Sequence, residues 1–167
     1  EPGLPTASAA KHGLWGLLVH PDLIRLNFGV FALYAVQLAS WVAIPALLIQ
    51  AGVASADHGW VYLPAVLLSF VVMGVTLFPM ERRGLLRPLF LTCIVLVMVV
   101  QAVWAWLAMA PPPLWMLAVL LFLFFCGFNV LEASQPSLAS RLAPTGSRGA
   151  ALGVYNTLQS LGIFAGG

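Results

Sequence analysis

Five long runs of apolar residues make up most of the chain, and short breaks with turn-forming or charged residues separate them. A helix needs about 20 mainly apolar residues to cross ~30 Å of hydrocarbon, because each residue advances it by ~1.5 Å. The runs cover residues 23–50, 60–79, 88–109, 114–138 and 148–167, with breaks at 54–57, 80–87, 111–113 and 143–146. The pattern therefore predicts an all-α, polytopic transmembrane helix bundle of five spans, with consecutive spans antiparallel.

The composition agrees with a surface that faces lipid. Of the 167 residues, 62% are hydrophobic and 7% are charged, whereas soluble domains have about 25% charged residues. The lipid bilayer is therefore a predicted partner. The net charge of +2 is small and dispersed, which argues against a nucleic-acid partner. Cys93 and Cys126 stand alone in apolar runs and the histidines lack metal-ligand spacing, so no disulfide, metal or cofactor is predicted.

The basic residues predict which side of the membrane each end of a span faces. All of them fall at the same ends of the predicted spans: Lys11, Arg25, Arg82, Arg83, Arg87, Arg141 and Arg148. The positive-inside bias makes this side the cytoplasm, so the start of the chain is predicted to be cytoplasmic. Tryptophans near the opposite ends, such as Trp60 and Trp115, are typical of an aromatic belt at the outer interface.

The two ends of the chain differ from the apolar runs. Residues 1–22 are too polar for a span and lack a signal-peptide pattern, so we expect a cytoplasmic connecting loop before a transmembrane domain at 23–167. The fifth span stops on Gly166 and Gly167. A native span that ended there would stop on two glycines with no residues after it, so we expect the chain to be a piece of a longer protein.

Polar side chains form one stripe along the first span. At 100° per residue, Asn27, Tyr34 and Trp41 fall on a narrow face that also contains Pro45, and Gln37 lies beside it. An unpaired polar group in hydrocarbon is costly, so this face is not expected to point to lipid. The stripe can line a solute cavity or form helix–helix hydrogen bonds, and the sequence favours neither interpretation.

The fifth span has two faces of small or polar residues, whereas the third span is apolar all round. Glycines four residues apart permit close backbone approach, so we expect the fifth span to be packed on two sides and the third to be peripheral. One face of the fifth span contains Gly149, Gly153, Asn156, Ser160 and Gly167, and the other contains Tyr155, Gln159, Gly162 and Gly166.

Glu132 is the one acid within an apolar run of the fourth span, and Asn129 shares its face. Intramembrane acids are costly and often carry protons. Counting ~1.5 Å per residue from Leu114 places Glu132 about 27 Å along the span, near the predicted cytoplasmic end. Two interpretations stay open, a proton-coupling acid and a structural ion pair with Arg141 or Arg148.

Four short stretches resemble a known family. Residues 147–156, Ser-Arg-Gly-Ala-Ala-Leu-Gly-Val-Tyr-Asn, resemble the start of the eleventh helix of major facilitator superfamily transporters, and residues 21–29 resemble the start of the seventh. Residues 162–167 are similar to a glycine-rich stretch of antiporter members, without its proline. The break at Glu81, Arg82, Arg83, Gly84 and Arg87 resembles the family's cytoplasmic Asp-Arg-x-Gly-Arg gating signature, with Glu81 in place of Asp and no leading Gly.

The resemblance implies the C-terminal half of such a transporter, helices seven to eleven, without the N-terminal half and the twelfth helix. It implies proton-coupled export of small organic or drug-like molecules by alternating access, in the bacterial cytoplasmic (inner) membrane. The fold would place the first, second, fourth and fifth spans around the cavity. The candidate cavity residues are Asn27, Tyr34, Gln37, Trp41, Asn129, Tyr155 and Gln159.

Two other function classes compete with transport. A small five-span scaffold or assembly subunit without transport activity would have the same apolar pattern, and a native polypeptide near 17.8 kDa would favour it. A membrane-embedded enzyme is disfavoured, because the sequence contains no nucleophile–base pair, metal-ligand cluster or phosphate-binding loop. We therefore expect the chain not to be an enzyme.

Overall fold

Helices account for most of the computed structural model, which describes residues 16, 17, 19–109, 112–144 and 146–167. Most of the predicted connecting loop, including Lys11, lies outside the described residues, as do Pro111 and Thr145. A 3-10 turn at Ser55–Asp57 precedes the second helix. The five long helices are α1 (Pro21–Gln50), α2 (His58–Arg82), α3 (Leu86–Leu107), α4 (Leu114–Leu142) and α5 (Arg148–Gly166). The predicted all-α class is confirmed.

Four of these helices, α1 to α4, are long and apolar enough to cross a membrane. The helix α5 is less apolar, because glycines and polar residues occupy two of its faces. Helical structure also continues past the apolar runs, so that α2 includes Glu81 and Arg82 and α4 includes Arg141. The backbone hydrogen bonds of a helix do not require apolar side chains, so hydropathy underestimates helix length at water-facing ends.

Glycines with positive φ end α1 and α2. In α2, the amides of Gly84 and Leu85 donate to the carbonyls of Glu81 (3.0 Å) and Met80 (2.8 Å), and Gly84 has φ 72°. Gly52, with φ 86°, ends α1 in the same way. This pair of bonds satisfies carbonyls that a helix end otherwise leaves without partners, and glycine adopts the required φ without a Cβ clash.

The described residues fall into two compact units. Unit I consists of the chain up to Ala39 and of Ser134–Gly167, and unit II of Ser40–Ala133. The helices α1 and α4 are therefore each divided between the two units. The helices α2 and α3 belong to unit II, and α5 belongs to unit I.

In unit I, α5 packs against α1 at two glycines of the same face. A Cβ atom added to Gly162 would meet the Phe31 carbonyl group, at 3.1 Å from its carbon, and one added to Gly166 would meet the Ala35 carbonyl group, at 2.8 Å from its carbon. Each carbonyl oxygen would be closer still. The two backbones thus touch where both glycines lack side chains, as small residues allow between membrane helices.

A small apolar cluster closes unit I near the start of α1. It joins Leu23 of α1, Ala143 after α4 and Ala151 of α5, together with Leu17. All of these side chains are buried. The cluster fixes the register of the three segments, so that one helical turn further along, Asn27 and Tyr155 follow Leu23 and Ala151 on the packed faces.

In unit II, α4 packs closely against α3. A Cβ added to Gly127 would lie 2.9 Å from Val97 Cγ2 and 3.2 Å from the Cys93 carbonyl oxygen. Three residues earlier on α4, the Phe124 ring contacts the Trp104 ring of α3, with 5.3 Å between centroids. The helix α3 buries one face towards these contacts and exposes residues such as Leu91 and Met98 on the other side.

Replacing Gly162 by Ala is expected to destabilise the protein by about 1–3 kcal/mol, since the new methyl group overlaps the Phe31 carbonyl and the two helices must separate. Gly29→Ala is the matched control, because Gly29 is also a membrane-helix glycine but has nothing within 4 Å of its added Cβ. Thermal unfolding in detergent measures both variants. Equal unfolding midpoints would contradict the close contact between α1 and α5.

Candidate functional site

Several polar side chains of unit II form hydrogen bonds between helices. Gln101 Nε2 of α3 donates to Ser40 Oγ of α1 over 2.8 Å. Ser40 is buried and Gln101 is half-buried. This bond links two helices side chain to side chain inside a mainly apolar unit, which is the structural role that polar residues often have in membrane bundles.

Asn129, a predicted cavity residue, also takes part in a helix–helix hydrogen bond. Its Nδ2 atom donates to Ser69 Oγ of α2 over 2.8 Å, and Ser69 Oγ in turn donates to the Val66 carbonyl at 2.6 Å. Ser69 is fully buried, and Asn129 is 6% exposed. The structure therefore places this amide between α2 and α4.

Unit I contains five of the predicted cavity residues: Asn27, Tyr34, Gln37, Tyr155 and Gln159. Asn27, Tyr34 and Tyr155 are buried, and Gln37 and Gln159 are half-buried. Asn27 Oδ1 is enclosed and has no hydrogen-bond partner among the described residues. A buried acceptor without a partner is uncommon in folded proteins, so this amide has capacity for a water molecule or a solute.

Gln135 of α4 was not among the predicted site residues. Its side chain is 2% exposed, and its Oε1 atom is enclosed without a hydrogen-bond partner in the described part of the chain. Gln135 belongs to unit I, as Asn27 does. The signal in the sequence was an amide three residues after Glu132, but helical geometry alone did not show that this amide is fully enclosed.

Trp41 differs from the other members of the α1 stripe. Its side chain is 51% exposed, whereas Asn27 and Tyr34 are buried. In unit II its indole stacks on the ring of Tyr62 in α2, with centroids 5.8 Å apart and planes at 27°. This contact joins residues of two different helices, so it has no local signal in the sequence.

Glu132 is half-buried in α4, and the two arginines considered as its partners, Arg141 and Arg148, are exposed. Glu132 lies in unit II, whereas both arginines lie in unit I. The proton-coupling role and the structural ion pair both stay predictions.

The residues of the predicted gating signature lie at the junction of α2 and α3. Glu81, Arg82, Arg83, Gly84 and Arg87 are all exposed. The glycine ends α2, and the following helix begins at Leu86, so the three arginines are held within one short segment. The segment presents a concentrated positive charge at one end of both helices.

Only one of the two small or polar faces of α5 is packed within the described chain. Tyr155 and Gly162 are buried and belong to the face against α1. The opposite face is exposed, and added Cβ atoms at Gly149 and Gly153 would have nothing within 4 Å. The open part of this face consists of Gly149, Gly153, Asn156 and Ser160, whereas a Cβ added to Gly167 at its end would lie 2.9 Å from Leu38 Cδ2 of α1.

Metal chemistry has no support in the described ranges, which contain no group of three or more His, Cys, Asp or Glu side chains placed to hold an ion. The functional candidates are instead amides, phenols, one acid and one indole inside apolar helices. Such side chains can bind or guide a solute through hydrogen bonds and ring stacking.

Apolar spanning helices with enclosed polar side chains define an integral membrane protein of the helix-bundle class. The chain belongs to the Major Facilitator Superfamily, whose sequence model matches residues 1–167. The predicted family is therefore confirmed.

Two curated relatives are similar to the chain. It is 36% identical to the "Inner membrane transport protein YajR" of Escherichia coli (strain K12). The 167 aligned residues make up 100% of this chain and 35% of that protein. It is 31% identical to the "Uncharacterized transporter BU466" of Buchnera aphidicola subsp. Acyrthosiphon pisum (strain APS). The 142 aligned residues make up 85% of this chain and 36% of that protein. The chain thus spans about a third of the length of these relatives. Both are named as transport proteins.

Breaking the Asn129–Ser69 hydrogen bond is expected to destabilise the protein. Asn129→Ala should cost about 1–3 kcal/mol because it removes a buried partner. In a double-mutant cycle with Ser69→Ala, the coupling free energy should be about 0.6 kcal/mol, the average for hydrogen bonds between membrane helices. Ser160→Ala is the control, because in the described part of the chain its exposed hydroxyl donates to the Asn156 carbonyl of the same helix. Chemical denaturation in micelles measures these values, and a coupling of zero would show that the bond has no energetic role.

Proposed function

We propose that the chain is part of a secondary active transporter that moves small organic molecules by alternating access. Family membership over residues 1–167 is the observation that carries the proposal. The buried polar residues of unit I support it, since Asn27 and Gln135 retain acceptor atoms without partners in the described chain. Alternating access requires polar groups near the midplane that exchange between protein, water and solute.

The proposed orientation follows from the basic residues. Among the described residues, every Arg lies near one set of helix ends, and the segment with Arg82, Arg83 and Arg87 is exposed. The positive-inside bias places these ends in the cytoplasm. The name of the Escherichia coli relative, an inner membrane transport protein, supports the bacterial cytoplasmic membrane as the location.

The segment Glu81–Arg87 is the proposed cytoplasmic gating element. Its arginines are exposed in this chain and could pair with acidic groups elsewhere in the transporter when one side of the cavity closes. Gly84 supports this arrangement because it ends α2 sharply before α3 begins.

The exposed face of α5 is the proposed contact with the remaining part of the transporter. Gly149 and Gly153 leave the backbone open, and Asn156 and Ser160 add hydrogen-bonding groups beside it. Small residues of this kind let a second helix approach closely within a membrane. The chain covers 35% of the Escherichia coli relative, so most of a comparable transporter would lie outside these residues.

Glu132 is the proposed proton-coupling acid. It is a half-buried carboxyl group in a helix that is otherwise apolar over most of its length. A carboxyl group in such surroundings can take up and release a proton as access to water changes, whereas an amide in the same place cannot. The coupling ion is therefore proposed to be the proton, with export of the organic solute as the opposing flux.

Replacing Glu132 by Gln is expected to reduce proton-coupled transport to background, about tenfold or more, with solute binding retained. The assay uses the intact transporter in proteoliposomes with an imposed pH gradient, and it follows both solute flux and internal pH. Asp22→Asn is the control, since Asp22 is exposed and, within the described residues, pairs with Arg25 of the next helical turn. Undiminished proton-driven flux in Glu132→Gln would exclude this role for the acid.

Replacing Gly153 by Leu is expected to weaken the contact between this chain and the remainder of the transporter. When the two parts are expressed as separate polypeptides, the amount captured should fall about tenfold, which corresponds to a loss of ~1.4 kcal/mol. Leu161→Val is the control, because Leu161 is 49% exposed and lies about 100° around the helix from Ser160, outside that face. Equal capture of the Gly153→Leu variant would show that this face is not the contact.

A further inference from the structure

His58 and Tyr62 have enclosed polar atoms on one face of α2 that the preceding roles leave unexplained. The imidazole Nε2 of His58 and the phenol Oη of Tyr62 have no hydrogen-bond partner among the described residues. Both side chains are half-buried as a whole. We propose that this pair is a proton-binding site, in which the imidazole takes up the proton. The inference rests on the proposed proton-coupled transport and adds a second protonatable position to it.

The two side chains are neighbours on the surface of one helix. His58 is the first residue of α2, and Tyr62 follows about one turn later. Residues four apart on a helix have Cβ atoms about 5–6 Å from each other. The Tyr62 ring is also stacked on Trp41 of α1, with 5.8 Å between the ring centroids. A phenol ring that is held in this way keeps its hydroxyl at a fixed place relative to the imidazole.

The two enclosed atoms are complementary in their hydrogen bonding. In the neutral tautomer with hydrogen on Nδ1, the Nε2 atom of His58 has a free lone pair, whereas Oη of Tyr62 can both donate and accept. Buried polar atoms without a protein partner are commonly satisfied by an ordered water molecule, which itself needs two or more polar partners. One water molecule between Nε2 and Oη meets both requirements.

Proton uptake at this site needs no other reactant than water. Histidine is the side chain whose charge ordinarily changes between about pH 5 and 8. A proton from the aqueous side binds to the Nε2 lone pair of His58, and the ring becomes an imidazolium with hydrogen on both nitrogens. The new N–H donates to the water molecule shared with Tyr62. Release of the proton to water reverses each of these changes.

One acid lies close to His58 in the chain. Asp57, in the 3-10 turn directly before α2, is exposed, and an anionic neighbour favours a charged imidazole. The positive end of the α2 dipole has the opposite effect, which suits a group that must also release its proton. The part of α1 in unit II contains no ionisable residue, and neither do residues 94–107 of α3 or 114–125 of α4. The remaining ionisable residues of unit II lie further along the helices and are Glu81, Arg82, Arg83, Arg87, Cys93, Cys126 and Glu132.

The pair lies at the end of α2 that is opposite to the arginines. The helix has 25 residues, from His58 to Arg82, and is therefore about 37 Å long. In the proposed orientation, His58 is at the outer end. Glu132, the proposed coupling acid, lies on α4, which ends at Leu142 on the cytoplasmic side. The pair is thus the outer of two proton-binding positions in unit II.

The first test follows the ring nitrogens of isotopically labelled histidine by NMR, with the purified intact transporter in nanodiscs between about pH 5 and 8. The signal that His58→Gln removes is expected to change from the neutral to the protonated form in this range. Tyr62→Phe keeps the stacked ring and should move this change to lower pH, because the charged imidazole loses a hydrogen-bond acceptor. His20→Gln is the matched control and should leave the signal unchanged. His20 Nδ1 is also enclosed without a partner in the described chain, but it precedes α1.

The proposal would be overturned by a His58 ring that stays neutral over this whole range, or by a titration that Tyr62→Phe does not move. Where His58→Gln does not fold, His58→Asn identifies the signal. Glu132→Gln should leave the titration in place, so this measurement does not depend on coupling by that acid.

The second test measures solute flux in proteoliposomes at a constant pH difference across the membrane, while the outer pH is varied. Flux through the unchanged transporter is expected to change about tenfold between outer pH 5 and 8, and flux through His58→Gln less than about twofold. The same dependence on outer pH in both proteins would overturn the role of the pair. Absence of flux from every protein, with a normal His58 titration, would contradict the proposed transport alone.

Discussion

The structure depends on one constraint, which is that hydrocarbon offers no hydrogen bonds to a protein. Every backbone amide in a span must find its partner within the helix, and every polar side chain must be enclosed, paired or near water. The long helices meet the first requirement. The Asn129–Ser69 and Gln101–Ser40 hydrogen bonds meet the second inside unit II. Enclosed polar side chains that lack such partners are then candidates for roles other than helix packing.

The same constraint changes how the helices hold together. Burying an apolar side chain against another helix gains little relative to lipid, so close packing and hydrogen bonds provide the attraction. Gly162 and Gly166 let α5 touch the backbone of α1, and Gly127 lets α4 touch α3. Gly149 and Gly153 have the same spacing and no contact in the described chain. A single helix thus has one glycine face that is packed and another that stays open in the described chain.

Polar side chains of one predicted stripe have different roles in the structure. Asn27 is buried with an acceptor that lacks a partner in the described residues, whereas Trp41 stacks on Tyr62 and remains half accessible. Asn129, also predicted to line the cavity, instead bonds to Ser69. Residues predicted to line one cavity therefore include side chains in helix–helix contacts and side chains that keep unpaired or accessible groups in the described chain.

The sequence by itself determined the all-α class, the membrane location of the apolar helices and the family, because hydropathy and local motifs are properties of contiguous residues. Helical periodicity also separated the two faces of α5. Tertiary structure decided which of these faces is packed, that Asn129 meets Ser69, and that Trp41 meets Tyr62. These contacts join residues distant in the chain, and the period of a single helix contains no information about its neighbours.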